Sequence, residues 1–156
     1  SARTFRGGAG PRRWCGDRGR AAAVNIVPST TGAAEAVIQA IPELAGKFDA
    51  AAVRVPVITG SLSIITALLK KKTTAEEINN VFRKAAGDPR WSKVLKATDD
   101  PIVSTDIIGE LYGAIIDCTL TKVIDGDLIK IFSWYDNEAG YTATLVEHTR
   151  RVAAAL

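Results

Sequence analysis

The stretch that most restricts the fold is TKVIDGDLIKIFSW, residues 121–134. Asp125-Gly126 suits a two-residue type I′ turn, which needs positive φ at both central positions. Leu128, Ile129, Ile131, Phe132 and Trp134 then supply a half-buried strand. A hairpin of this kind needs a sheet to join and a layer to cover its apolar face. The rest of the chain must provide both.

Other segments supply the parts. AAAVNIVPS (residues 21–29) reads as a short strand closed by Pro28. STTGAAEAVIQAI starts a helix, capped by Ser29, Thr30 or Thr31, with Ala34, Val37, Ile38 and Ile41 at helical spacing. Residues 50–58 read as a strand interrupted by Arg54, and SLSIITALLK as a second strand after Thr59-Gly60. TTAEEINNVFRKAAG is the clearest helix. Thr73–Glu76 and Thr74–Glu77 both fit a capping box, Ile78, Val81 and Phe82 form its stripe, and Gly87 closes it. DPRWSKVL is a connection with a short helical piece. Residues 102–108 and 114–120 read as strands. A last helix follows from about Gly140, with Leu145, Val146 and Val152 inward. Helices interleaved with hairpin-linked strands give an α+β domain with a mixed, mostly antiparallel sheet and helices on one face. We expect helices near 30–41, 74–86 and 141–153.

At 156 residues the chain suffices for one domain with a proper core. The expected division is an irregular Arg/Gly-rich arm, residues 1–16, and a domain, residues 17–156. Charge supports it. Residues 1–20 hold Arg3, Arg6, Arg12, Arg13, Arg18 and Arg20 against Asp17, a net +5, while the other 136 residues hold 14 basic and 16 acidic side chains, a net −2. A near-neutral domain with one basic arm and no recognisable binding motif does not read as a nucleic-acid protein. No apolar run approaches a membrane span, and no signal peptide is visible. Two cysteines, Cys15 and Cys118, make no disulfide framework and have no metal spacing, which fits a reducing compartment, cytoplasmic or organellar.

Two stretches carry chemistry. PSTTGAA presents hydroxyls and free backbone N–H groups at a helix start, where the dipole adds positive charge. It reads as a phosphate corner or as a plain N-cap. Arg54 reads as a ligand for an oxyanion or as half of a structural salt bridge. SWYDNEAGY, residues 133–141, is too polar for core and too aromatic for an ordinary turn, and suits a flat, partly polar guest.

In this order and spacing, GRAAAVNIVPSTTGAAEAV, AVRVPV and SWYDNEAGY resemble the catalytic domain of glyceraldehyde-3-phosphate dehydrogenases. IPELAGKFDAAAVRVP, DDPIVSTDIIG and DGDLIKIFSWYDNE agree, and the resemblance covers roughly residues 17–152. It implies a phosphorylating, NAD-dependent enzyme of glycolysis. By it, Thr31, Gly32, Arg54 and Arg18 would hold inorganic phosphate or the phosphoryl group of a triose. Asn137 would hold the nicotinamide carboxamide and Tyr141 would pack beside the ring, forming a partial NAD site. The family forms tetramers through this domain's sheet, so a homo-oligomer or a larger complex is expected.

The chain departs from the family pattern as well. The cysteine nucleophile of a SCTTNC-type motif and the histidine of a VHAYT-type motif do not occur. Cys15, Cys118 and His148 match neither, so no residue is assigned as catalytic. The dinucleotide-binding half is also absent, the arm does not resemble the family's loop at that place, and Ala139 stands where many members carry a larger residue. The expectation is that this chain alone has no dehydrogenase activity and binds NAD weakly. The alternative is an inactive homologue serving as a structural or interaction subunit of a larger assembly.

Overall fold

A computed structural model describes residues 23–156. They fall into two compact units divided between Val57 and Ile58.

In the first unit, strand β1 (Val27–Ser29) pairs antiparallel with β2 (Ala52–Arg54), in the register Val27 opposite Arg54 and Ser29 opposite Ala52. Val27 and Ser29 are buried and Pro28 between them is exposed, the alternation of a half-buried strand. Between the strands lie helix α1 (Ala33–Ala40) and a 3-10 turn (Pro42–Leu44). Both strands are shorter than expected. β2 ends because Pro56 has no N–H to give a ladder and the Val57 N–H turns back to the Val55 carbonyl at 2.8 Å. In α1 only Ala34 is fully buried, and Ile41 is exposed rather than inward.

The second unit holds β3 (Ser61–Leu68), α2 (Ala75–Gly87), β4 (Leu95–Thr98), β5 (Ala114–Asp117), β6 (Lys122–Ile124), β7 (Leu128–Tyr135) and α3 (Ala139–Ala153). Their strands form one five-stranded sheet. The order is β3-β7-β5-β4, with β6 also on β7. β3 runs antiparallel to β7 over eight residues, from Ser61 opposite Tyr135 to Leu68 opposite Leu128. β5 and β6 are also antiparallel to β7, and only β4 with β5 is parallel. The architecture is the expected α+β one.

The core follows from period two. Ile129 and Ile131 of β7 point inward beside Ile116 and Cys118, and Ile78 and Phe82 of α2 pack over them. α2 starts as its sequence demands. The Thr74 hydroxyl accepts from the Glu77 N–H at 3.2 Å, and the Glu77 carboxylate accepts from the Thr74 N–H at 3.0 Å. The Thr73 hydroxyl adds a bond to Glu77 at 2.8 Å, and these bonds hold the Glu77 carboxyl below its usual range, the Thr73 hydroxyl contributing most. The hairpin turns at Asp125 (φ 50°) and Gly126 (φ 82°), both left-handed as a type I′ turn requires.

Two expectations fail here, and one element was not foreseen. Residues 102–108 are not a strand. They fold into consecutive turns, because the Asp106 carboxylate accepts the Val103 N–H at 2.7 Å and the Asp106 N–H returns to the Val103 carbonyl at 3.0 Å. Leu95–Thr98, after the expected connection, is an edge strand that the sequence reading did not assign. In α3, Leu145, Val146 and Val152 are 45–49% exposed, not inward. The helix is anchored by other residues: Glu147 pairs with Lys93 at 3.3 Å and Arg151 at 2.9 Å, and Arg151 donates to the Arg90 carbonyl at 2.8 Å. These two partners, Arg151 first-placed, hold the Glu147 carboxyl low.

Candidate functional site

The first candidate lies within residues 23–57. Thr31 is half-buried beside the helix start, with its hydroxyl accepting the Ala33 N–H at 3.2 Å. Gly32 is the N-cap of α1 and has no side chain to cap with, so the first-turn N–H groups depend on Thr31 or on an external acceptor. Arg54 ends β2, exposed, with a route to water instead of a buried partner. The ladder sets it opposite Val27, two residues before Ser29, where β1 leads toward Thr31. No hydrogen bond or ion pair joins Arg54 to Thr31 or Gly32 among the described residues. Arg18 and Cys15 lie outside the described residues.

The second candidate is the junction at the start of α3, within residues 58–156. Asp136 is only 3% exposed. One of its oxygens accepts the N–H groups of Glu138 (2.8 Å) and Ala139 (2.9 Å), and the other accepts the Gly109 N–H at 2.9 Å. Three backbone donors, Gly109 foremost, hold its carboxyl below the usual range. Asn137 is exposed, and its side-chain oxygen accepts the Gly60 N–H at 3.0 Å and the Thr59 hydroxyl at 3.3 Å. Its NH₂ hydrogens are not used by another described residue. Neighbouring side chains thus tie two separate loops to one helix start.

Around that junction lies an open groove of about 580 Å³. Thr59, Ile108 and Leu111 form one part of its lining, and Ala139, Thr142 and Ala143 present the matching face of α3. Tyr141 is 66% exposed and, at about 100° per residue, projects roughly half a turn from that face. Tyr141 therefore faces away from the groove that Asp136 and Glu138 line. Trp134 and Tyr135 are partly buried strand residues, and the Trp134 indole N–H donates to the buried Asp117 carboxylate at 3.2 Å.

Sequence reasoning missed Gly140 and Asp136. Gly140 is buried, and a Cβ there would lie 2.5 Å from the Tyr112 carbonyl oxygen. Only glycine lets the first turn of α3 approach residues 110–113 so closely. The acid directly before a helix start was the available signal for Asp136. Cys118 is a buried core residue, and burial, the main cause, pushes its thiol pKa up, away from a reactive thiolate. His148 is exposed on α3. No group of three or more potential metal ligands occurs among the described residues. Among them no helix is long and apolar enough to cross a membrane.

Residues 10–137 match the family described as Glyceraldehyde 3-phosphate dehydrogenase, C-terminal domain. Glyceraldehyde-3-phosphate dehydrogenase of Clostridium acetobutylicum is 51% identical over 132 residues, 83% of this chain and 38% of that protein. The Mycobacterium avium enzyme of the same name is 50% identical over 139 residues, 89% of the chain and 40% of its own length. That of Borreliella burgdorferi is 48% identical over 136 residues, 86% and 41% respectively. The chain spans about 40% of the length of these relatives.

Proposed function

We propose that this chain, which belongs to the glyceraldehyde-3-phosphate dehydrogenase family, works as the phosphate- and nicotinamide-contacting part of a phosphorylating, NAD-dependent enzyme of glycolysis. What carries the reading is that the chain is about half identical to enzymes of that name over 83–89% of its length. Thr31 and Gly32 offer a helix start to a phosphate or to the phosphoryl group of a triose, and Arg54 and Arg18 supply positive charge. The Asn137 NH₂, not used by another described residue and flanked by the groove-lining Asp136 and Glu138, suits the carbonyl of a carboxamide. Tyr141 is available to pack on a ring once another segment or subunit closes over it. NAD, when bound, supplies the hydride acceptor; the residues of this chain hold and orient. A homo-oligomer or a larger complex, in a reducing compartment, completes the reading.

The second reading, an inactive structural or interaction subunit, draws on the thiols. Cys118 is buried and that burial pushes its thiol pKa up, which does not suit the thiolate nucleophile that acyl-enzyme chemistry requires, and neither Cys118 nor Cys15 stands in the family's nucleophile motif. The chain alone is therefore expected to turn over no substrate while still contacting ligands.

Titrations with inorganic phosphate and with NAD, followed by backbone amide shifts, test both readings. Phosphate should move Thr31 to Ala34 amides in the parent and not in Arg54→Ala. NAD should move the Asn137 side-chain amide weakly. Equal phosphate responses in parent and variant would remove Arg54 from the site. NADH formation from glyceraldehyde 3-phosphate, NAD and phosphate that disappears in either Cys15→Ala or Cys118→Ala would overturn the claim of inactivity.

A further inference from the structure

Asn137 stands on a short polar stretch between β7 and α3, and an exposed asparagine there is not oriented by its own backbone. Something must fix it if it is to recognise a carboxamide. Its own oxygen reaches Gly60 and Thr59, but that contact is useful only if the Asn137 backbone is itself held. The residue before it is held on three sides, by Gly109, Glu138 and Ala139 N–H groups. The same turn that supplies Gly109 also packs on Gly60: a Cβ there would lie 3.1 Å from both the Ile107 side chain and the Ser104 carbonyl. Ile107 is 1% exposed, so the turn is wedged in place.

We infer that Asp136 is the positioning residue for Asn137: its carboxylate locks the 103–110 turn and the start of α3 into one junction, and that junction aims the Asn137 amide at the groove. This extends the nicotinamide reading given above and rests on it for the ligand, though not for the geometry. Each of the three N–H groups loses its acceptor if the carboxylate is removed, and hydrogen bonds to a charged group are among the stronger ones. Freed, the first turn of α3 and the Gly109 loop move apart. Asn137 then no longer reaches Gly60, although nothing about residue 137 has changed.

The test is amide hydrogen exchange in the 156-residue chain, comparing the parent with Asp136→Asn and Asp136→Ser. Serine keeps a short oxygen for the α3 N–H groups but cannot reach Gly109. In Asp136→Asn one amide oxygen remains for Glu138 and Ala139, so the Gly109 amide, now facing an NH₂, should exchange at least about tenfold faster. The Gly60 amide, bonded only to Asn137, should accelerate with it. In Asp136→Ser, Gly109 and Gly60 should accelerate more than Glu138 and Ala139. The core amides of Ile129 and Ile131 should hold their protection, which a purely structural loss would not allow. Gly60 exchange unchanged in both variants would overturn the proposal, as would a uniform acceleration through β7. A nicotinamide titration is run beside it. A parent that shows no response to nicotinamide would sink the ligand reading and leave the Gly60 result to decide the positioning claim. A parent that responds, with an equal response in a variant whose Gly60 is freed, would show that Asp136 does not aim Asn137 at the ring.

Discussion

Residues 23–57 and residues 58–156 carry one candidate site each, on very different scaffolds. The first rests on two three-residue strands and an eight-residue helix with one fully buried residue. The second rests on an eight-residue ladder between β3 and β7, with a core of Ile116, Cys118, Ile129 and Ile131 beneath it. A two-stranded ribbon of that size is marginal by itself, whereas a five-stranded sheet with a helix packed on it is not. The lesson concerns preorganisation. Asn137 is bonded to Gly60 and Thr59 beside the Asp136 junction, while Thr31, Gly32 and Arg54 occupy positions that no hydrogen bond or ion pair among the described residues locks together. Binding at the first site must therefore supply its own ordering, which lowers affinity.

The largest effect should appear in hydrogen exchange across the two regions. Amides of the β3–β7 ladder should exchange on the order of a hundredfold or more slowly than those of Val27–Ser29 and Ala52–Arg54. Ile131→Ala should narrow that gap by removing about 2–5 kcal/mol from the second region, because it leaves a cavity under the longest strand. Equal protection in the parent would break the comparison outright.

The two site glycines give a smaller and sharper contrast. At Gly32 a Cβ would meet nothing nearer than the Glu35 carboxylate at 3.8 Å, and the backbone there is ordinary. At Gly140 it would strike a backbone oxygen at 2.5 Å, which cannot swing aside as a side chain would. Gly140→Ala should destabilise the chain by about 1–3 kcal/mol, the range of core overpacking. Gly32→Ala should cost under about 1 kcal/mol, the scale of a cap change. Thermal or denaturant unfolding of both variants checks the pair, and comparable losses would mean that the first site is built as tightly as the second.

The same asymmetry decides what the sequence made legible. Where local chemistry and tertiary packing agree, the reading succeeded: the Thr74–Glu77 capping box, the Asp125-Gly126 turn and the inward Ile129 and Ile131 are all local patterns that the sheet then uses. Where a side chain competes with the backbone, it failed. Ile102–Ile108 has a strand's apolar content, yet Asp106 captures the Val103 N–H and makes it a turn. Leu145, Val146 and Val152 have helical spacing, but periodicity does not say which face finds a neighbour, and Glu147 and Arg151 determine it through Lys93 and Arg90. Asn137 was singled out by resemblance. The Asp136 junction beside it was not legible, because three backbone donors from two segments leave no mark in spacing.

Acid gives the smallest effect and isolates that junction. The carboxyls with depressed pKa are Glu77, Asp136 and Glu147, and all three lie in the second region. A carboxyl held low in the folded chain contributes stability above its unfolded value, near 3.9 for aspartate, and the contribution is lost as pH falls through the folded value. Between pH 5 and 7 Asp136 is ionised in both states, so the difference in melting temperature between the parent and Asp136→Asn should be constant there. It should start to shrink below about pH 5 and fall away as Asp136 becomes protonated in the folded chain. Glu77 and Glu147 titrate in parent and variant alike and cancel from the difference. Melting curves of both proteins from pH 7 to pH 2 measure it. A difference that persists undiminished to the lowest pH would mean that the negative charge of Asp136 is not what holds Gly109, Glu138 and Ala139, and that the second site owes its order to packing alone.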